Sequence, residues 1–103
     1  MTRGARRGSS GRLILRLYVA GDSPNSLLAK ANLQRAIAHL PKGDVNVEIV
    51  DVLLDPERGL REGVLVTPIL VRIAPAPERR VVGTLHDRTA LVAGLGIAEP
   101  PHE

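Results

Sequence analysis

The chain has no cysteine, no tryptophan and no phenylalanine, and Tyr18 is its only aromatic residue. Without cysteine there is no disulfide, no thiolate nucleophile and no cysteine-based metal site. One ring provides no platform on which successive bases of a single strand would stack, so a nucleic-acid partner is not expected. The core must instead interdigitate Leu, Val, Ile and Ala. No run approaches the ~18 apolar residues of a membrane span. The apolar stretch Leu13–Ala20 is broken by Arg16, and no cleavage signal follows it. A cytoplasmic protein is the expectation. His39, His86 and His102 are scattered, no His/Asp/Glu spacing resembles a metal site, and no phosphate-binding glycine loop is present. No cofactor is expected.

Acidic residues are missing from one place in particular. Residues 1–12 carry Arg3, Arg6, Arg7 and Arg12 and no carboxylate, so the whole net charge of +3 and the pI of 10.2 trace to this leader. The remaining ten basic and eleven acidic side chains nearly cancel. A Gly/Ser/Arg-rich leader reads as a solvated, disordered end, and residues 98–103 read as a flexible tail. Between them, residues 13–97 have room for one domain, and a hydrophobic fraction of 44% supports a real core.

Leu13–Ala20 is a continuous β-prone run. Ser23-Pro24 is a helix start, with a capping hydroxyl before a proline at the first helical position. Ala29, Leu33, Ala36, Ile37 and Leu40 keep helical spacing until Pro41–Asp44 stops them. Val45–Leu53 is a second strand, and a strand–helix–strand order implies a parallel pair. Asp55-Pro56-Glu57 repeats the cap-plus-proline signal. The helix it announces is weak, since Gly59 and Gly63 would each cost roughly 1 kcal/mol relative to Ala in a helix interior. Thr67-Pro68 leads into a third strand, Ile69–Ala74. A proline-rich connection, 75–79, precedes a short fourth strand, Arg80–Leu85, interrupted at Gly83. His86-Asp87-Arg88 opens a last helix, Thr89–Leu95, ended by Gly94 and Gly96.

Two segments are placed where chemistry is often found. Ser23-Pro24-Asn25-Ser26 opens a helix directly after the first strand, where a free helix end can hold an anion. The plainer reading is a capped helix, Ser23 the cap and Ser26 completing it. Asp51 and Asp55 lie at a strand end but have no nucleophile near them in sequence, so turn and cap roles are favoured.

The segments LRLYVAGDSPNS at Leu15–Ser26, VEIVDVL at Val47–Leu53, DPERGLREGVLVTPIL at Asp55–Leu70 and RRVVGTLHDR at Arg79–Arg88 together resemble the KaiB family, small regulators of the KaiC clock ATPase. The resemblance covers nearly all of residues 13–95. It implies a thioredoxin-like β-α-β-α-β-β-α domain of the α/β class. It also implies that Ser23–Ser26 occupies the place of a Cys-x-x-Cys motif. A serine hydroxyl is too weakly acidic to be activated as a thiol is, and it forms no disulfide, so redox activity is excluded. Pro68 would be cis, as in the fold generally.

As to function, the resemblance implies a non-catalytic regulatory module that binds a KaiC-like ATPase. A KaiA-like protein or a histidine kinase would be further partners, and a dimer or tetramer the free state. Family members exchange this fold for a ground state with a rearranged C-terminal half. That requires two packings within a few kcal/mol of each other. Gly59, Gly63, Gly83, Asp87 and Arg88 are the residues expected in the switching region, and Glu48, Asp51, Asp55, Arg58 and Arg61 those expected at the partner surface. Departures from the family pattern are Glu48 where a positive side chain is usual, the two glycines of the second helix, the short proline-rich end and the basic leader. The alternative is a redox-inactive adaptor on another target. A glutathione-transferase-like reading of Ser23, Thr67-Pro68 and His86-Asp87 would need a large second helical domain, for which 103 residues leave no room.

Overall fold

Alternation along the first strand decides the architecture. In the computed structural model, which describes residues 12–97, β1 spans Leu13–Val19. The disordered leader expected over residues 1–12 lies outside the described residues except for Arg12, and the flexible tail expected over residues 98–103 lies outside them altogether. Leu13, Leu15, Leu17 and Val19 enter one apolar cluster, while Tyr18 enters another on the opposite face of the sheet. Such a strand sits in the middle of a sheet covered on both sides. β2 (Val45–Asp51) pairs with it in parallel, β3 (Ile69–Ala74) pairs antiparallel on its other side, and β4 (Arg79–Val82) completes the order β2-β1-β3-β4. With α1 (Pro24–Ile37), α2 (Pro56–Arg61) and α3 (Arg88–Leu95), the chain runs β-α-β-α-β-β-α.

The two faces are covered unequally. On the first, Ala29, Leu33 and Ala36 of α1 and Leu91 and Leu95 of α3 join Leu15, Leu17 and Leu70 in the main core. On the second, Tyr18, Val50, Ile69 and Val71 form a smaller cluster, with Val52 and Val64 from the segments flanking α2 packed against it. Six helical residues cover little of a four-stranded sheet, and Ile73 and Val82 on that face stay exposed.

Local chemistry explains where the elements stop, and corrects several expected boundaries. β2 ends at Asp51 and not Leu53, because the Asp51 carboxylate accepts from the N–H groups of Gly21 (3.0 Å) and Leu53 (2.9 Å) and folds the chain into a turn. β4 runs from Arg79 to Val82 and not to Leu85, since Gly83 and Leu85 both adopt positive φ. α3 begins one residue earlier than expected, at Arg88, with Asp87 capping the Ala90 N–H at 3.0 Å. Gly94 lies inside α3, and Gly96 alone ends it, in the left-handed conformation.

The two glycines assigned to the second helix have different roles. Gly59 is inside α2, where an added Cβ would stand 3.1 Å from Val52 Cγ1. It is a point of close approach as well as a propensity penalty. Gly63 is not in the helix at all. It follows the Glu62 C-cap at φ +72°, a conformation glycine adopts without the Cβ penalty, so it costs the helix interior nothing.

Candidate functional site

The lightly covered face carries the densest group of charges in the described residues. β1 places Arg16 and Tyr18 on it, two residues apart and thus on one side of the strand. β2 places Glu48 directly opposite Arg16 in the ladder. α2 and its cap bring Arg58 and Glu62, four residues apart and therefore neighbours on a helical surface. These side chains close a ring. Arg16 Nε donates to Glu48 Oε1 (2.9 Å) and its Nη1 to Glu62 Oε1 (3.2 Å). Arg58 grips Glu48 with both terminal nitrogens (2.8 and 2.9 Å) and reaches Glu62 with Nε (3.3 Å). Two-pronged guanidinium–carboxylate contacts of this kind fix orientation as well as charge.

Tyr18 joins the ring from below. Its aromatic body is buried in the smaller apolar cluster, and its hydroxyl donates to Glu62 Oε1. The hydrogen bond from Arg58, and then that from Arg16, hold the Glu48 carboxyl below the usual carboxylate range. The Tyr18 hydroxyl, and then Arg58, do the same for Glu62. Burial, followed by the bond to Glu62, pushes the Tyr18 phenol up. Both acids are therefore ionised and both phenol and guanidinium groups protonated near neutrality. No group here is poised to exchange a proton.

Arg80 adds a tie from β4, donating to the carbonyls of Glu62 (3.0 Å) and Gly63 (3.3 Å) beyond the end of α2. The effect is to pin a six-residue helix that would not persist alone. Around this pinned helix the side chains are apolar and open to solvent. Leu54, Leu60 and Leu65 are 84%, 76% and 90% exposed, and Leu53 and Val66 are exposed too. A shallow cavity of about 260 Å³ lies between Val52, Pro56, Gly59, Leu60 and Val64.

Of the residues expected at a partner surface, Glu48 and Arg58 meet in the ring. Asp51 and Asp55 do not; Asp51 makes the turn described above, and Asp55 caps α2 by accepting from the Arg58 N–H (3.2 Å). Arg61 is exposed and makes no ion pair among the described residues. Arg16, Tyr18 and Glu62 were missed. Each left a trace in the sequence: a charge interrupting an apolar strand, the sole aromatic residue, and an acid four positions after Arg58. The inverted charge at Glu48 now has a cause, since two arginines share it.

Ser23 and Ser26 are tied to each other. Ser23 Oγ accepts from the Ser26 N–H (3.3 Å) and donates to Ser26 Oγ (2.8 Å), which also accepts from the Ala20 N–H (3.0 Å). Ser26 is wholly buried. Pro24 occupies the first turn of α1, and Asn25 follows it on the exposed side. The Thr67–Pro68 peptide bond is cis, as are Ala74–Pro75 and Ala76–Pro77. Among the described residues no cluster of His, Asp and Glu is arranged to hold a metal ion, and no helix is long and apolar enough to cross a membrane.

A family model described as the KaiB domain matches residues 16–97. The circadian clock oscillator protein KaiB of Prochlorococcus marinus strain MIT 9312 is 39% identical over 84 residues, covering 82% of this chain and 80% of its own length. The protein of the same description from Synechococcus sp. strain CC9311 is also 39% identical over 84 residues, covering 82% and 71%. Among solved structures, mitochondrial thioredoxin 3 from Saccharomyces cerevisiae superposes with a TM-score of 0.67 at 18% identity, covering 88% of this chain and 83% of its own. The N-terminal domain of Synechococcus elongatus SasA superposes at 0.61 with 24% identity, covering 88% and 90%. At those identities the structural likeness establishes a thioredoxin-like fold.

Proposed function

Because this chain belongs to the KaiB family, we propose that it is a non-catalytic regulatory module, cytoplasmic in location, that docks on a KaiC-like ATPase and modulates its cycle. The docking surface is the β2–α2 region, Glu48–Arg61. The observation that carries this reading is the pairing of exposed leucines around α2 with a closed charge ring beneath them. Exposed apolar groups next to fully paired charges suit a protein interface, where an apolar centre is ringed by polar contacts. Nothing at the ring suits general acid–base catalysis, because its groups are shifted away from neutrality.

Exchange with a second fold is part of the same proposal, and so is self-association in the free state. Gly59, Gly63, Gly83, Asp87 and Arg88 all sit at helix ends, turns or close contacts of the C-terminal half, where a change of element would begin. Capture of the KaiC homologue from the same organism, with and without ATP, tests the docking. Arg58→Glu and Leu60→Asp should abolish capture, and Gln34→Glu on α1 should leave it intact. Failure of the unaltered protein to bind in every nucleotide state would overturn the reading and favour an adaptor acting on another target. A KaiA-like protein and a histidine kinase are further partners to present in the same format.

A further inference from the structure

On the opposite face of the molecule, α1 and the segment entering α3 enclose a polar cleft of about 220 Å³. Its walls carry Arg35, His86 and Arg88, and its floor is the buried apolar surface of Ala36, Leu85 and Leu91. Three features set it apart from an ordinary basic surface.

No carboxylate lines it. Arg16, Arg58 and Arg80 each pair with a glutamate, whereas Arg35 and Arg88, like the exposed Arg61 and Arg79, have no acidic partner among the described residues, and only Arg35 and Arg88 face one cleft together. The nearest acid in sequence, Asp87, is occupied by the Ala90 N–H. Second, two of the three basic groups are held in place. Asn32 Nδ2 donates to the Thr84 carbonyl (2.9 Å), and the same amide's oxygen receives Arg35 Nη2 (2.5 Å). Thr84 Oγ1 in turn shares a hydrogen bond with His86 Nδ1 (3.1 Å). One amide and one hydroxyl thus position a guanidinium and an imidazole on the same cleft, leaving the other N–H groups of Arg35, those of Arg88 and Nε2 of His86 to a ligand. Third, the cleft offers donors and no charged acceptor, so its complement is an oxyanion.

We infer that this cleft binds phosphate oxyanions of diphosphate or triphosphate size. Arginine forks match phosphate oxygens, and two of them facing one space recognise more than a single charge. The chemistry is that of the phosphate chain alone. Tyr18, the one Phe, Tyr or Trp ring of the chain, is buried on the other side of the sheet, so the cleft has no large aromatic face for a base and recognition falls to the phosphate oxygens.

Titration of the full-length protein with sodium pyrophosphate, tripolyphosphate and ATP, followed by amide and side-chain NMR shifts at low ionic strength, tests this. Saturable shifts should appear at the Asn32 side-chain amide and the Leu85, His86 and Leu91 backbone. Arg35→Gln and Arg88→Gln should each weaken binding by about tenfold, the loss of one charge-assisted contact. Arg79→Gln, on β4 away from the cleft, should not. Equal affinity for tripolyphosphate and ATP identifies the phosphate chain as the whole ligand, and much tighter ATP binding would refute that part. Shifts confined to the arginines of residues 1–12, or affinities that Arg35→Gln and Arg88→Gln leave unchanged, would overturn the site.

Discussion

Replacing the two glycines near α2 by alanine should change stability in opposite directions. Each substitution removes backbone freedom from the unfolded chain equally, a gain of roughly 0.4–1 kcal/mol. Any difference between them therefore arises in the folded state. Gly59 has helical geometry inside α2, so alanine there keeps that unfolded-state gain in full, as the main part of a helix-propensity difference of up to about 1 kcal/mol. Against this stands Val52 Cγ1, 3.1 Å from the new Cβ and a few tenths of an ångström too close. Val52 borders two shallow cavities and can turn into them, so the strain is a fraction of the 0.5–1.5 kcal/mol of a full off-rotamer shift, roughly 0.5 kcal/mol. The net is a stabilisation of about 0.5 kcal/mol, or roughly 2–4 °C in Tm. Gly63 has open space around its Cβ position but φ of +72°, so alanine there meets the left-handed penalty of about 1–2 kcal/mol. A net loss of about 1 kcal/mol follows once the unfolded-state gain is counted. Urea unfolding followed by far-UV circular dichroism, with unchanged m-values, separates the two. Combining Val52→Ala with Gly59→Ala should release the contact and enlarge the gain that Gly59→Ala gives on its own. Equal signs for the two single variants, or stabilisation by Gly63→Ala, would refute the distinction.

Two further outcomes follow from the hydrogen bonds. Glu48 and Glu62 both ionise more readily folded than unfolded, so their contribution is complete above the unfolded carboxylate value of about 4.3 and is lost as pH falls through the lower folded values. Acid titration of stability should show that loss, and Arg58→Met should flatten it at Glu48. Ser26→Ala removes a wholly buried hydroxyl and leaves the Ala20 N–H without its acceptor, and should cost about 1–3 kcal/mol, against about 1 kcal/mol for the half-buried cap in Ser23→Ala. Equal losses in thermal melts would contradict the burial argument.

The fold was largely legible because its punctuation is local. Ser23-Pro24 and Asp55-Pro56 mark helix starts by chemistry contained within four residues, and the helical spacing of Ala29, Leu33 and Ala36 shows in the sequence which face of α1 packs on the core. The family resemblance supplied the strand order. The β4 and α3 boundaries follow from local features, the positive φ of Gly83 and Leu85 and the Asp87 cap, whereas the end of β2 depends on a distant contact. Asp51 stops β2 because Gly21, thirty residues earlier, needs an acceptor. The charge ring was half legible. Glu48 and Arg58 stand out as charges, but Arg16 and Glu62 are separated by 46 positions and meet only through the β1–β2 register and the placing of α2. The cleft between α1 and α3 was not legible, since its hydrogen-bond chain joins Asn32 to Thr84 across 52 residues.

Arg72 belongs to β3, yet its guanidinium is buried and spends its hydrogen bonds on the carbonyls of Leu95 (2.9 Å) and Pro77 (2.8 Å), with Nε unpartnered. An added Cβ at Gly96 would stand 2.8 Å from its Nη1, so the end of α3 is fitted to the arginine head. A buried cation held only by neutral carbonyls depends on keeping both of them. If either the last helix or the proline loop lifts, the remaining contact is too weak to keep the charge from water. The third strand, the loop after it and the final helix are thereby tied together through one buried side chain. Lifting either the loop or the last helix away from the third strand breaks a hydrogen bond to this charge.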